Sequence, residues 1–173
     1  LPRLAATAGA DFIIYDMEHT AWSIQTVRSL LASNAGIDIV PIVRIPTEEY
    51  HFAARVMDAG AMGVMVPMVN DAAEAQRVVD ACKYPPFGKR GAGFSIAHDD
   101  YIPADVSSTI QQANEHGLVI VQIESPEGVA NAREIAAIDG VDVLWIGHFD
   151  LSNFMGIPAQ FEHPEYLAAV DSV

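Results

Sequence analysis

The sequence predicts an α/β protein built on a parallel sheet, and three observations carry that reading. Short apolar runs recur along the 173 residues, at 12–15, 39–43, 63–66, 118–123 and 141–146. They are apolar throughout instead of alternating, which is the pattern of strands covered on both faces. Most are separated by sequence of helical period, and apart from the wider gap between 63 and 118 neighbouring runs start roughly 25 residues apart, the length of one βα unit with two short loops.

Taken in order, "FIIY" (12–15) is the first strand and ends in Asp16, Glu18 and His19. "SIQTVRSLLASN" (23–34) follows as a helix, with Ser23 as its cap and Ile24, Val27, Leu30 and Leu31 on one stripe. "IVPIV" (39–43) is the second strand, and "TEEYHFAARVMDAG" (47–60) a helix capped by Thr47 and closed by Gly60. "GVMV" (63–66) leads into the helix "DAAEAQRVVDAC" (71–82). The stretch 84–117 then breaks the rhythm, because "YPPFGKRGAGFSIAHDDY" carries two prolines and three glycines over a length unusual for a simple connection. A further strand is expected within 91–96, and the whole stretch reads equally well as a functional loop or as a plain excursion over the rim. "LVIVQI" (118–123), the helix "SPEGVANAREIAAIDG" (125–140) with Pro126 at its first position, and "VDVLWI" (141–146) complete the pattern. Helical sequence stands at both chain ends, and no linker divides residues 1–173, so one domain is expected.

Composition limits the function. With 51% apolar and 18% charged residues the chain can build a core. Nine Lys and Arg against 23 Asp and Glu give a net charge of −14, which argues against nucleic acid or an anionic membrane as a partner. Cys82 is the single cysteine and reads as a small core residue. With no internal disulfide to form and no apolar run near the roughly 20 residues that span a bilayer, a cytoplasmic enzyme is expected.

Chemistry in such sheets collects at the C-terminal ends of the strands, whether the sheet is open or closed into a barrel. Those ends carry Asp16, Glu18 and His19, then Arg44, then Pro67 and Met68, then Gln122 and Glu124, then Gly147, His148, Phe149 and Asp150. Any one of these carboxylates is readable as a helix cap, and Glu124 before "SPEG" and Asp150 before "LSNF" are examples. Glu124 and Asp150 together suit a partial oxygen shell for a hard divalent ion that takes its other ligands from water and substrate. Arg44 suits a carboxylate or an enolate oxygen. His19 is the group best fitted to proton transfer near neutral pH, with Asp16 or a more distant acid to orient it. Lys83 and Lys89 are the only lysines and neither ends a strand, which argues against a Schiff-base mechanism.

Several of these stretches, "DFIIYDMEHT", "VPIVRIP", "GAMGVMVPMVNDAAEAQRVV", "YPPFGKRGAG" and "VQIESPEGVANAREIAAIDGVDVLWIG", resemble the metal-dependent hydroxyketoacid aldolases of the HpcH/HpaI group along nearly the whole chain. The resemblance implies a (β/α)8 TIM barrel of the phosphoenolpyruvate/pyruvate type. It implies that Glu124 and Asp150 bind magnesium, manganese or, alternatively, cobalt. Arg44 would hold the pyruvate or enolate, Gln122 and Gly147 would line its site, and His19 would move the proton, supported by Asp58. The expected reaction is reversible retro-aldol cleavage of a 4-hydroxy-2-oxo acid to pyruvate and an aldehyde, in a homo-oligomer such as a trimer or hexamer. An oxaloacetate decarboxylase with the same enolate chemistry and a non-catalytic interaction module are the alternatives. Two features depart from the group. "GHFDL" (147–151) stands where it often has G-P-A-D-L, so His148 and Phe149 reshape the substrate wall. The length also falls short of the about 250 residues of a complete barrel, so a chain lacking the first strand and the last βα unit is expected.

Overall fold

Each of the five apolar runs becomes a strand, and the five pair in parallel in chain order. In the computed structural model, which describes residues 1–173, they are β1 (Phe12–Asp16), β2 (Val40–Arg44), β3 (Gly63–Val66), β4 (Leu118–Ile123) and β5 (Val143–Ile146). The helices are α1 (Pro2–Thr7), α2 (Ile24–Ala32), α3 (Tyr50–Asp58), α4 (Ala72–Cys82), α5 (Val106–His116), α6 (Pro126–Ala136), α7 (His148–Phe154) and α8 (Pro164–Ser172), with a 3₁₀ turn at Ala97–Asp99. Strand neighbours that are also sequence neighbours, joined through helices, make the sheet a sector of a (β/α) barrel, a partial TIM barrel. No helix is long and apolar enough to cross a membrane.

Both faces of the sheet are apolar, for different reasons. On the helix side, Tyr15, Val43, Val64, Val66, Val119, Val121 and Ile123 pack against Val27, Leu31, Val56, Val78, Val79 and Ile135. Each such aliphatic side chain contributes about 1.5–3 kcal/mol through burial. Cys82 belongs to this core, where burial pushes its thiol up to about 12, so it is no nucleophile. The opposite face carries Ile42, Met65 and Ile120, backed by Ile14 and Val40. Here side chains of neighbouring strands stack in layers, as the register Ile14–Ile42 and Met65–Ile120 requires. This two-sided burial is why the runs show no alternation.

Local signals account for most helix ends. Ser23, Asp71 and Ser125 each accept the backbone N–H three residues on, capping α2, α4 and α6, and Pro126 occupies the first turn of α6. Gly60 takes φ +101 just beyond α3, a left-handed conformation that glycine adopts without Cβ strain. Thr47 is not a cap. The helix begins later, at Tyr50 after Glu49, and Thr47 instead donates to the Glu48 carboxylate. The strand expected within 91–96 does not form, because β3 pairs directly with β4 (Gly63 opposite Leu118) and leaves it no place in the sheet. The segment is loop that enters the 3₁₀ turn. Reading 84–117 as irregular also overlooks α5, whose residues are all at least partly exposed and so leave only a faint apolar stripe.

Candidate active site

The C-terminal ends of the strands place the predicted charges together. Asp16 and Arg44 end β1 and β2 at directly opposed positions. The Arg44 Nε and Nη2 donate to the two Asp16 oxygens at 2.8 and 2.6 Å, a bidentate pair. Asp16 Oδ1 also accepts from the Glu18 N–H at 2.9 Å, so the same carboxylate shapes the loop after β1. Burial alone would raise the Asp16 carboxyl, but the Arg44 hydrogen bonds and the loop N–H groups overcome it and hold the carboxyl below its ordinary range. Asp16 is therefore the partner of Arg44 and of the loop backbone.

Glu18 extends that loop toward the remaining acids. Its Oε2 lies 3.3 Å from Arg44 Nη1 and 3.7 Å from His19 Nε2, yet this buried oxygen has no hydrogen-bond partner. Burial raises the Glu18 carboxyl above its ordinary value, with Asp16 and Asp150 adding to the rise and Arg44 and His19 opposing it. Sequence reading assigned Glu18 no role, although its place in "DMEH" two residues from Asp16 was a usable signal. The His19 side chain is 61% exposed, open to an incoming molecule.

Glu124 is the most enclosed of the acids, 3% exposed at the end of β4. Its Oε2 accepts the Met68 N–H at 2.8 Å and its Oε1 accepts from Gln122 Nε2 at 3.1 Å. It does not cap α6, a role that Ser125 takes. Met68 holds the left-handed backbone at φ 55, uncommon for a residue with a side chain and characteristic of working sites. Gly147, between β5 and α7, completes the seat. A Cβ there would overlap the Glu124 carboxylate, so the glycine is needed for space and its ordinary φ of −87 plays no part. Burial raises the Glu124 carboxyl, helped by the charges of Glu18 and Asp150 and opposed by the Met68 N–H and Arg44. Asp150 sits in the first turn of α7, which has no side-chain cap, so it too is not spent on capping.

Asp16, Glu18 and Glu124 all act on one arginine, with Asp150 beside Glu18 and Glu124, so these four carboxylates are short of positive charge. The charge of Asp150 disfavours the ionised form of Glu124, and Glu18 Oε2 and Gln122 Oε1 are buried without hydrogen-bond partners. This oxygen-rich, under-compensated donor set fits a hard divalent cation. No three His, Cys, Asp or Glu side chains converge as a ligand set within this chain.

Two predicted residues lie apart from this cluster. Asp58 closes α3, at the end of the unit where β3 begins, away from the rim. It accepts from Arg90 Nε and Nη2 at 3.2 and 2.6 Å, and Arg90 in turn lies over the Tyr84 ring. Its expected support of His19 is therefore not made within this chain, where Glu18 is the acid beside the imidazole. Phe149 is 72% exposed and packs edge to face with Phe161 at 5.2 Å, while His148 bonds to the Tyr166 hydroxyl. The lysines are far from the acids in their bonding: Lys83 Nζ donates to the Asn114 and Gly117 carbonyls and Lys89 pairs with Asp80.

Comparison with known proteins follows this geometry. The family described as HpcH/HpaI aldolase/citrate lyase matches residues 2–173. A hydroxypyruvate/pyruvate aldolase of Roseobacter denitrificans is 33% identical over 97% of the chain and 65% of its own length. A 4-hydroxy-2-oxo-heptane-1,7-dioate aldolase of Salmonella dublin is 36% identical over 98% of the chain and 64% of its own length. The crystal structure of an HpcH/HpaI aldolase from Desulfitobacterium hafniense DCB-2 superposes with a TM-score of 0.94 at 34% identity, covering 99% of the chain and 66% of that protein. The chain thus spans just under two thirds of the length of these relatives.

Proposed function

Because the chain belongs to the HpcH/HpaI aldolase/citrate lyase family, we propose that it carries the strand-end machinery of a carbon–carbon lyase, which cleaves a 4-hydroxy-2-oxo acid reversibly to pyruvate and an aldehyde. The observation that carries the reading is the buried Glu124 carboxylate, seated over Gly147 and facing Glu18, Asp150 and Arg44. Glu124 and Asp150 would hold magnesium, manganese or a similar ion, which supplies Lewis-acid stabilisation to the 2-oxo oxygen when bound. Arg44, fixed by Asp16 and with Nη1 turned toward Glu18, offsets negative charge developing on the substrate. Gln122 lines the same place, with one amide N–H already committed to Glu124.

In cleavage, the proton of the C4 hydroxyl passes to His19, directly or through a water. The C3–C4 bond breaks to release the aldehyde, and its electron pair becomes the enolate of pyruvate. Protonation at C3 completes pyruvate. Addition runs the same steps in reverse. With both lysines committed elsewhere, no amine is placed to form a Schiff base.

The test is removal and replacement of the ion. Treatment with a chelator should abolish cleavage of a 4-hydroxy-2-oxo acid, and magnesium or manganese should restore it in the wild type. Glu124→Ala should show weakened metal affinity by calorimetry. Full activity in excess chelator would overturn the proposal.

A further inference from the structure

Trp145 has no part in the roles above, yet the sheet places it among them. In the pairing of β4 with β5, Gln122 stands opposite Trp145 and Ile120 opposite Val143. Opposed residues of a parallel pair point to one face. That face is the one carrying Met65 and Ile120, since the intervening Leu144 packs into the core on the helix side. Two residues beyond Trp145 on the same face is Gly147, whose empty side-chain position is filled by the Glu124 carboxylate. The indole therefore lies one rung below that carboxylate, about 6–7 Å along the strand, and beside the glutamine that hydrogen-bonds to it.

The surrounding rim side chains Asp16, Glu18, Arg44, Gln122, Glu124 and Asp150 are all polar. They can hold the oxygens of a small acid, while contact with its carbon skeleton falls to the apolar residues beside them. Trp145 is 40% exposed on a rigid strand, and an aromatic ring so held supplies a large contact area while few torsions need ordering. We infer that Trp145 is the wall against which the carbon skeleton of the 2-oxo acid packs, and that its bulk limits the donor to a short chain at C3. This inference rests on the pyruvate reading of the site. A pyruvate methyl lies flat against such a wall, whereas the extra methyl of 2-oxobutanoate must displace the indole. One methylene at an apolar wall is worth roughly 10-fold or more in discrimination.

Trp22 and Trp145 are the two tryptophans of the chain, so Trp22→Phe isolates the emission of Trp145 and Trp22→Phe/Trp145→Phe provides the blank. Pyruvate is titrated with magnesium present, following the difference emission while calorimetry measures binding independently. The emission should change saturably at the calorimetric affinity. In Trp145→Ala, the affinity for 2-oxobutanoate relative to pyruvate should rise about 10-fold. Calorimetric binding of pyruvate with no change in Trp145 emission overturns the inference and leaves the pyruvate reading standing, as does an unchanged affinity ratio in a folded Trp145→Ala. No calorimetric binding of pyruvate to the wild type overturns the pyruvate reading and the role of Trp145 with it.

Discussion

The Asp16 carboxylate grips Arg44 through two parallel hydrogen bonds of 2.8 and 2.6 Å, across strands that place the two residues directly opposite one another. The pair turns the remaining Nη1 edge of the guanidinium toward Glu18, 3.3 Å away, and toward Glu124, so it fixes both the position and the direction of the arginine.

Asp16→Asn should lower stability by about 1.5–3 kcal/mol at neutral pH, the scale of hydrogen bonds to a charged group, measured by urea unfolding. The sign with pH follows from the lowered Asp16 carboxyl. Its stabilisation is complete above the unfolded value of about 3.9 and disappears as pH falls through the folded value. The difference between wild type and variant should therefore close in acid and stay constant near neutrality.

Glu124→Gln should act in the opposite direction on the metal-free protein. The Glu124 carboxyl is raised by burial and by neighbouring acids, so its ionised form costs stability at neutral pH. Gln removes that charge and keeps the Met68 N–H satisfied, and the unpartnered Gln122 Oε1 can accept from the new amide after a flip. The expected gain is roughly 1 kcal/mol in metal-free denaturation, vanishing below the ordinary glutamate value of about 4.3, together with loss of divalent-ion affinity. A stability loss at pH 7 would contradict this account.

Gly147→Ala tests whether the glycine serves space or backbone. Its φ of −87 suits any residue, but the added Cβ would displace the Glu124 carboxylate. Turnover at saturating metal should fall about 100-fold, the typical cost of a misplacement near 1 Å. Far-ultraviolet circular dichroism should be unchanged.

His19→Ala should lower turnover by roughly 10²–10⁴-fold, with pyruvate affinity changed only a few-fold, because the His19 side chain is exposed and its ring approaches only Glu18, at 3.7 Å. Arg44→Ala should instead weaken binding and turnover together. Steady-state kinetics beside direct pyruvate titration separates the two patterns.

The sequence alone determined what depends on a few neighbouring residues. The doubly buried strands followed from unbroken apolar runs, the caps from Ser23, Asp71 and Ser125, and the left-handed exit of α3 from Gly60. Because parallel strands end on a common side, the collection of Asp16, Arg44, Gln122 and Glu124 on one rim was also legible before any coordinates. Tertiary structure decided what depends on distance across the chain. It left no place in the sheet for residues 91–96, since β3 and β4 bond to each other. It joined Asp58 to Arg90 instead of His19, gave Glu18 its position beside His19 and Arg44, and made Gly147 necessary through a side chain 23 positions earlier. Local pattern records which face of an element is apolar and where it stops. Register and packing choose which side chains meet, and those choices involve residues that no short window of sequence contains.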